Sequence, residues 1–165
     1  MKRILGASPS DQERLSLFGD LCDELMAHAA AEEQTLYAEL LTHSQQQIQQ
    51  SVVDNDQVVE LISQLQDLDV TTAEWMTKFE SLREKVEQHL EREEALLLPL
   101  ARTRIKRRRA KALGERFEQL KLRELSIWGK QARHLGEQAR KRRAVPRRRR
   151  SASARLFGRQ PTSVK

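Results

Sequence analysis

A row of positions midway along the chain advances by three or four residues at every step: Trp75, Phe79, Leu82, Val86, then 89, 93, Leu96 and Leu100. That period puts all eight side chains on one face of an α-helix, and no strand uses it. Composition points the same way. Leu, Ala, Glu, Gln, Lys and Arg dominate, while 165 residues include only 6 Gly, 4 Pro, 1 Tyr, 2 Trp and 4 Phe. This is the vocabulary of helices. The expected fold class is all-α, with one modest core.

Two slots of the row break its character. Positions 89 and 93 hold His89 and Glu93, where leucines would be expected. A second row, Phe18, Leu21, Leu25, Leu36 and Leu40, does the same. Stepping three residues from Leu25 reaches His28, and four more reach Glu32. Aligning His28 on His89 also matches Glu32 with Glu93, Glu33 with Glu94 and Leu36 with Leu97, an internal repeat at an offset of 61 residues.

A buried carboxylate without a partner costs several kcal/mol, so these pairs need one. Three solutions are open. Each Glu can bond its own His one turn away as a buried ion pair. The two pairs can meet across a bundle and satisfy one another. Together they can hold a metal ion, since imidazole and carboxylate suit Fe, Mn or Zn. One such pair alone would be an ordinary satisfied core polar. Two pairs of identical spacing favour the metal, because bundles build such sites from inward side chains on facing helices. His43 falls roughly 60° round the helix from His28, near a helix end, and His134 sits in a basic region. Neither is expected to be a ligand.

The segment SPSDQ (8–12) marks a helix start, with Ser8 or Ser10 as cap, and this helix should reach about residue 43. HSQQQIQQS is its frayed end or a loop. DNDQVVELISQLQDL (54–68) opens a shorter helix with an Asp cap. Thr71 or Thr72 caps the helix carrying the row from Trp75, and Pro99 should kink or end it. A further helix over roughly 110–140 carries Leu113, Phe117, Leu120, Ile127 and Leu135, weakened by Gly114, Gly129 and Gly136. Beyond Arg140 there is no periodicity, and a disordered Arg-rich tail is expected.

Charge divides the chain. Residues 1–101 hold 7 Lys/Arg against 20 Asp/Glu, a net of −13, and residues 102–165 hold 23 against 4, a net of +19. KRRRAK (106–111) and RKRRAVPRRRR (140–150) could bind phosphates in a salt-sensitive, sequence-blind way. No aromatic residue interleaves them for base stacking. A solvated extension folding back on the acidic half is therefore favoured over non-specific nucleic acid or an acidic partner. Anionic lipid ranks lower, for want of an apolar face.

Cys22 is the only cysteine, so no intramolecular disulfide forms and a reducing compartment fits. MKRILGASPS is no secretory signal, and no run approaches the roughly 20 apolar residues of a spanning helix. A cytoplasmic location is expected. No nucleophile–base arrangement, phosphate-cradling Gly loop or cofactor motif points to an enzyme.

In this order and spacing the motifs resemble the haemerythrin-like HHE cation-binding domains. That family's pattern is a four-helix bundle with a lone His on the first helix, His-x3-Glu on the second, a lone His on the third and His-x3-Glu on the fourth. LCDELMAHAAAEEQTLYAEL resembles the second helix and DNDQVVELISQL the third. SLREKVEQHLEREEALLLPLAR, with its Pro ten residues after His89, resembles the fourth. KALGERFEQLK is similar to the short helix that often follows. The resemblance implies a metal site of His28, Glu32, His89 and Glu93, iron as its mono- or dinuclear cofactor, and a role in iron, oxygen or redox sensing and handling.

Two departures accompany it. The chain begins about where the family's first helix should be ending, with RILG as its remnant or with the true start upstream. The third helix lacks its His, whose place falls near Asn55. Four of six expected ligands remain, which suits a single ion completed by water, or a metal-free relic acting through its basic end. The expected architecture is a haemerythrin-like up-and-down bundle over 1–125, incomplete at its N-terminus, a basic helical extension over 126–140 and a tail over 141–165. Phe117, Leu120 and Ile127 are expected to cover the groove left by the missing helix, a task a second copy could share in a homo-oligomer.

Overall fold

A computed structural model describes residues 1, 4 and 10–144, with side chains through residue 127. Ser10 opens α1 (Asp11–Glu32), its hydroxyl accepting the Glu13 N–H at 3.3 Å. Asp11 and Glu13 set negative charge beside the free N–H groups of the first turn. The helix axis continues through a π-helical turn, Glu33–Tyr37, and a closing α turn, Ala38–Leu40. α2 runs Gln45–Gln66. Thr72 caps α3 (Ala73–Arg92), accepting the Trp75 N–H at 3.1 Å. A second π turn, Glu93–Leu97, leads into α4 (Leu98–Arg104), and α5 runs Arg107–Ala144. Short connections make α1, α2 and α3 successive antiparallel neighbours, while α4 continues α3 through the π turn. The described residues form an all-α, up-and-down bundle, as the spacing predicts.

The core has two apolar ends. At one, Phe18 and Cys22 of α1, Val58, Ile62 and Leu65 of α2, and Trp75, Phe79, Leu82 and Val86 of α3 pack together, with Ile4 of RILG buried among them. Phe79 stacks on Trp75 at 5.1 Å between centroids, and Phe18 meets Trp75 edge-on at 5.4 Å. At the other end, Tyr37, Leu40, Ile48 and Leu97 cluster. The buried polar residues fall between these ends: Glu32 on α1 and Thr35 in the π turn beyond it, Ser51, Asp54 and Asn55 on α2, His89 and Glu93 around the end of α3. The bundle is built as an apolar–polar–apolar sandwich along its axis.

Several expectations change. Of HSQQQIQQS only His43 and Ser44 form the connection; Gln45–Ser51 are the first turns of α2, where Gln-rich sequence costs little in a helix and Ile48 supplies the anchor. Asp54 is consequently no cap; it lies inside α2, fully buried. The π turns shift the apolar rows by one residue, because a wider turn rotates everything beyond it. Leu97 is 1 % exposed whereas Leu96 is 44 % exposed, and on α1 Tyr37 is buried where Leu36 is only partly so. Pro99 does not end the helix but sits in the first turn of α4, where the preceding π turn has already opened the hydrogen-bond ladder: the Leu98 N–H reaches back five residues to the Glu93 carbonyl.

KALGERFEQLK is part of a 38-residue helix rather than a short one, and its glycines do not interrupt it. α5 passes residue 125 without a break, and the first of two compact units spans Met1–Gln131. The tail expected from 141 lies, from 145 on, outside the described residues. Leu113 and Leu120 of α5 are buried, and Phe117 and Ile127 half-buried. Phe117 packs edge-on against His28 at 5.2 Å. Basic α5 also pairs with acidic residues of α1 and its continuation: Lys121 with Glu24 of α1 at 2.8 Å, and Arg109, through two guanidinium nitrogens, with Glu39 of the closing α turn.

Removing the stacked ring at the centre of the larger apolar end, Phe79→Ala, is expected to lower unfolding free energy by about 3–5 kcal/mol, read as a lower midpoint in urea with an unchanged slope.

Candidate metal centre

Each His–Glu pair is four residues long and adjoins a π turn, which begins just after Glu32 in one pair and at Glu93 itself in the other, a device that is rare in general and common at functional sites. On α1, His28 Nε2 lies 3.0 Å from Glu32 Oε1. On α3, His89 Nε2 lies 3.8 Å from Glu93 Oε1 and 4.0 Å from Glu32 Oε2. The pairs meet across the bundle. One ligand atom each from His28, Glu32 and Glu93 fall within 4.8 Å of one another. His89 stands beside this trio, facing both carboxylates. His28 is less central than its row suggests, with its side chain 36 % exposed and covered on one flank by Phe117.

Three residues not singled out as ligands complete the polar layer. The Tyr37 hydroxyl donates to Glu93 Oε1 at 2.5 Å and lies 3.4 Å from Glu32 Oε2. Asp54 is held by Lys85 at 2.9 Å, by the Gln50 amide at 3.2 Å and by Arg92, and its Oδ2 stands 3.9 Å from His89 Nδ1. Asn55 occupies the place expected for the third-helix His, and its buried amide nitrogen has no partner among the described residues. Nor does either ring nitrogen of His89 have a hydrogen bond there. His43 is exposed and apart from this layer. The side chain of His134 lies outside the described residues.

Tyr37 carries a signal in the sequence, as the sole tyrosine of an aromatic-poor chain. Regular helix spacing hides it, because it places Leu36 below Glu32. Asp54 carries none beyond its cap-like context.

The electrostatics record an excess of acceptors. Burial and the facing Glu32 charge push Glu93 up to about 7. The Glu32 hydrogen bond raises the His28 pKa against the opposing effect of burial. Burial lowers that of His89, favouring the neutral imidazole that metals take. Burial, reinforced by both carboxylates, raises the Tyr37 phenol. A cavity of about 220 Å³ adjoins the imidazole side, with His28, His89 and Asn55 in its wall beside Leu25, Val58 and Val86.

A model of the Hemerythrin HHE cation binding domain matches residues 2–101. The chain belongs to this family. No curated protein and no solved structure gives a match. The residues of this haemerythrin domain fit a cation on their own chemistry. Two carboxylates from different helices face one another away from water, and a neutral imidazole with unpartnered nitrogens stands 3.8 Å from one of them. A cation would discharge the first and satisfy the second.

The acidity of Glu93 has a sign that can be measured without metal. Its folded pKa is raised, so the native state holds more protons than the unfolded chain between about pH 4.5 and about 7. Stability from this group is present below that window and falls as pH rises through it. In metal-stripped protein, the melting temperature of wild type relative to Glu93→Gln is expected to drop from pH 5 to pH 7.5. A constant difference would show that Glu93 titrates normally.

Proposed function

We propose that this haemerythrin-family protein is an iron-binding bundle in which His28, Glu32, His89 and Glu93 hold the ion. The observation that carries this reading is the convergence of Glu32 and Glu93 from separate helices, with His28 bonded to one and His89 facing both. Mixed imidazole–carboxylate donors suit first-row divalent and trivalent metals, iron among them. When bound, iron would supply Lewis-acid or one-electron chemistry for iron, oxygen or redox handling. The protein's own part is to bind and to shield. α5 covers His28 through Phe117, and Asp54, fixed by Lys85 and Arg92, stands behind His89 as a group that can set its orientation.

The reading places the protein in the cytoplasm. Among the described residues no helix is long and apolar enough to cross a membrane. The lone Cys22 is buried with its thiol pushed up to about 12, an unreactive state that suits a structural rather than redox role.

Elemental analysis of the purified protein tests the assignment. Stoichiometric iron is expected in wild type, with affinity lowered at least about tenfold in His89→Ala and in Glu93→Gln. Wild type that takes up no iron, zinc or manganese would refute it.

A second reading concerns the α4–α5 corner. Arg102, Arg104, Lys106, Arg107 and Arg108 are all exposed there, and none has an ion pair among the described residues, unlike neighbouring Arg109 and Lys111. This cationic edge suits a polyanion, and its sequence-blind character suits the phosphate backbone of nucleic acid. Retention on duplex DNA should weaken steeply with salt. Charge removal at Arg102, Arg104, Arg107 and Arg108 should flatten the log–log slope by about one for each phosphate no longer neutralised. Salt-independent retention would exclude the reading.

A further inference from the structure

We propose that Tyr37 is itself a ligand, giving the cation site a third oxygen donor and a preference for a trivalent ion. The inference rests on the metal-binding reading above and extends it to the one aromatic hydroxyl in the polar layer. Tyr37 is buried, and its oxygen lies between the carboxylates of two helices, 2.5 Å from Glu93 Oε1 and 3.4 Å from Glu32 Oε2. A cation shared by those carboxylates would lie within reach of the same phenolic oxygen.

The π turn is what brings it there. In a regular α-helix the residue four positions beyond Glu32 would return to its face, and that residue is Leu36. The wider turn Glu33–Tyr37 brings the fifth residue round instead, so the hydroxyl meets a carboxylate five positions back. The apolar cluster that Tyr37 joins otherwise takes hydrocarbon side chains, Leu40, Ile48 and Leu97 being its other buried members. The ring of Tyr37 packs with them, and its hydroxyl reaches beyond into the polar layer.

Glu32, Glu93 and a coordinated phenolate together present three anionic oxygens beside the imidazoles. That set matches a hard trivalent ion such as ferric iron better than a zinc ion, and iron accepts tyrosinate as a ligand elsewhere in biology. On coordination the O–H bond breaks and its proton, now donated to Glu93, leaves to solvent. No oxidant or reductant is required.

The test is direct because Tyr37 is the chain's only tyrosine. Full-length protein loaded with ferric iron should show a visible tyrosinate-to-iron charge-transfer band and the matching tyrosinate modes in resonance Raman spectra. Tyr37→Phe, which keeps the ring, should retain the fold and bind ferric iron about 10-fold or more weakly, without the band. Its zinc affinity should change far less. Wild type that binds iron stoichiometrically but shows no tyrosinate signature overturns this inference and leaves the four-residue site standing. A variant that keeps both band and affinity overturns it as well. Wild type that binds no metal overturns both.

Discussion

The approach of Glu32 and Glu93 inside the bundle governs the rest of the structure. Two carboxylates that close, shielded from water, cannot both carry charge without compensation. Every neighbouring feature supplies some: the His28 imidazole on Glu32, the Tyr37 hydroxyl between the two acids, and the raised pKa of Glu93 itself. None of these cancels two negative charges completely. A bundle of this size would be more stable with leucines in those places. The polar layer is thus a local sacrifice of stability within an otherwise conventional core, and membership of a cation-binding family gives that sacrifice its reason.

The two apolar ends make the sacrifice tolerable. Trp75, Phe79 and Phe18 interlock on one side, Leu40, Ile48 and Leu97 on the other, so the helices are pinned above and below the charged layer. With both ends fixed, side chains in between cannot relax by separating the helices. Asp54 adds a third constraint. It is a buried carboxylate, yet unlike Glu32 and Glu93 it has full ionic partners in Lys85 and Arg92. The same layer therefore holds one acid neutralised by protein cations and two left for something else.

Periodicity in the sequence locates α3, its Thr72 cap and both His–Glu pairs, because these depend on spacing within one regular helix. It fails where regularity fails. A π turn has no residue signature, so regular spacing runs the rows straight past Glu32 and Glu93 and gives Leu36 and Leu96 places that belong to Tyr37 and Leu97. The start of α2 escapes for a different reason: nine residues with a single isoleucine hold too little apolar pattern to mark a helix, and Asp54 imitates a cap. Tertiary packing around Ile48 and Ser51 decides that segment. Resemblance puts Asn55 at the right position, but only the fold reveals its amide at the imidazole-side cavity without a partner.

The charge division between the halves of the chain acquires a structural meaning from α5. Exposed ion pairs such as Arg109–Glu39 add little stability individually. Their value here lies in orientation, since they set a long helix along acidic α1 with Phe117 against His28 and Leu113 and Leu120 turned inward. Apolar burial supplies the adhesion, and charge selects the register. The cations left over at the α4–α5 corner have no such task within the described fold, which separates two roles that the sequence merges into one basic half. α5 up to Lys121 belongs to the shielding of the polar layer, and the exposed cations from Arg102 to Arg108 take no part in the pairs that dock it.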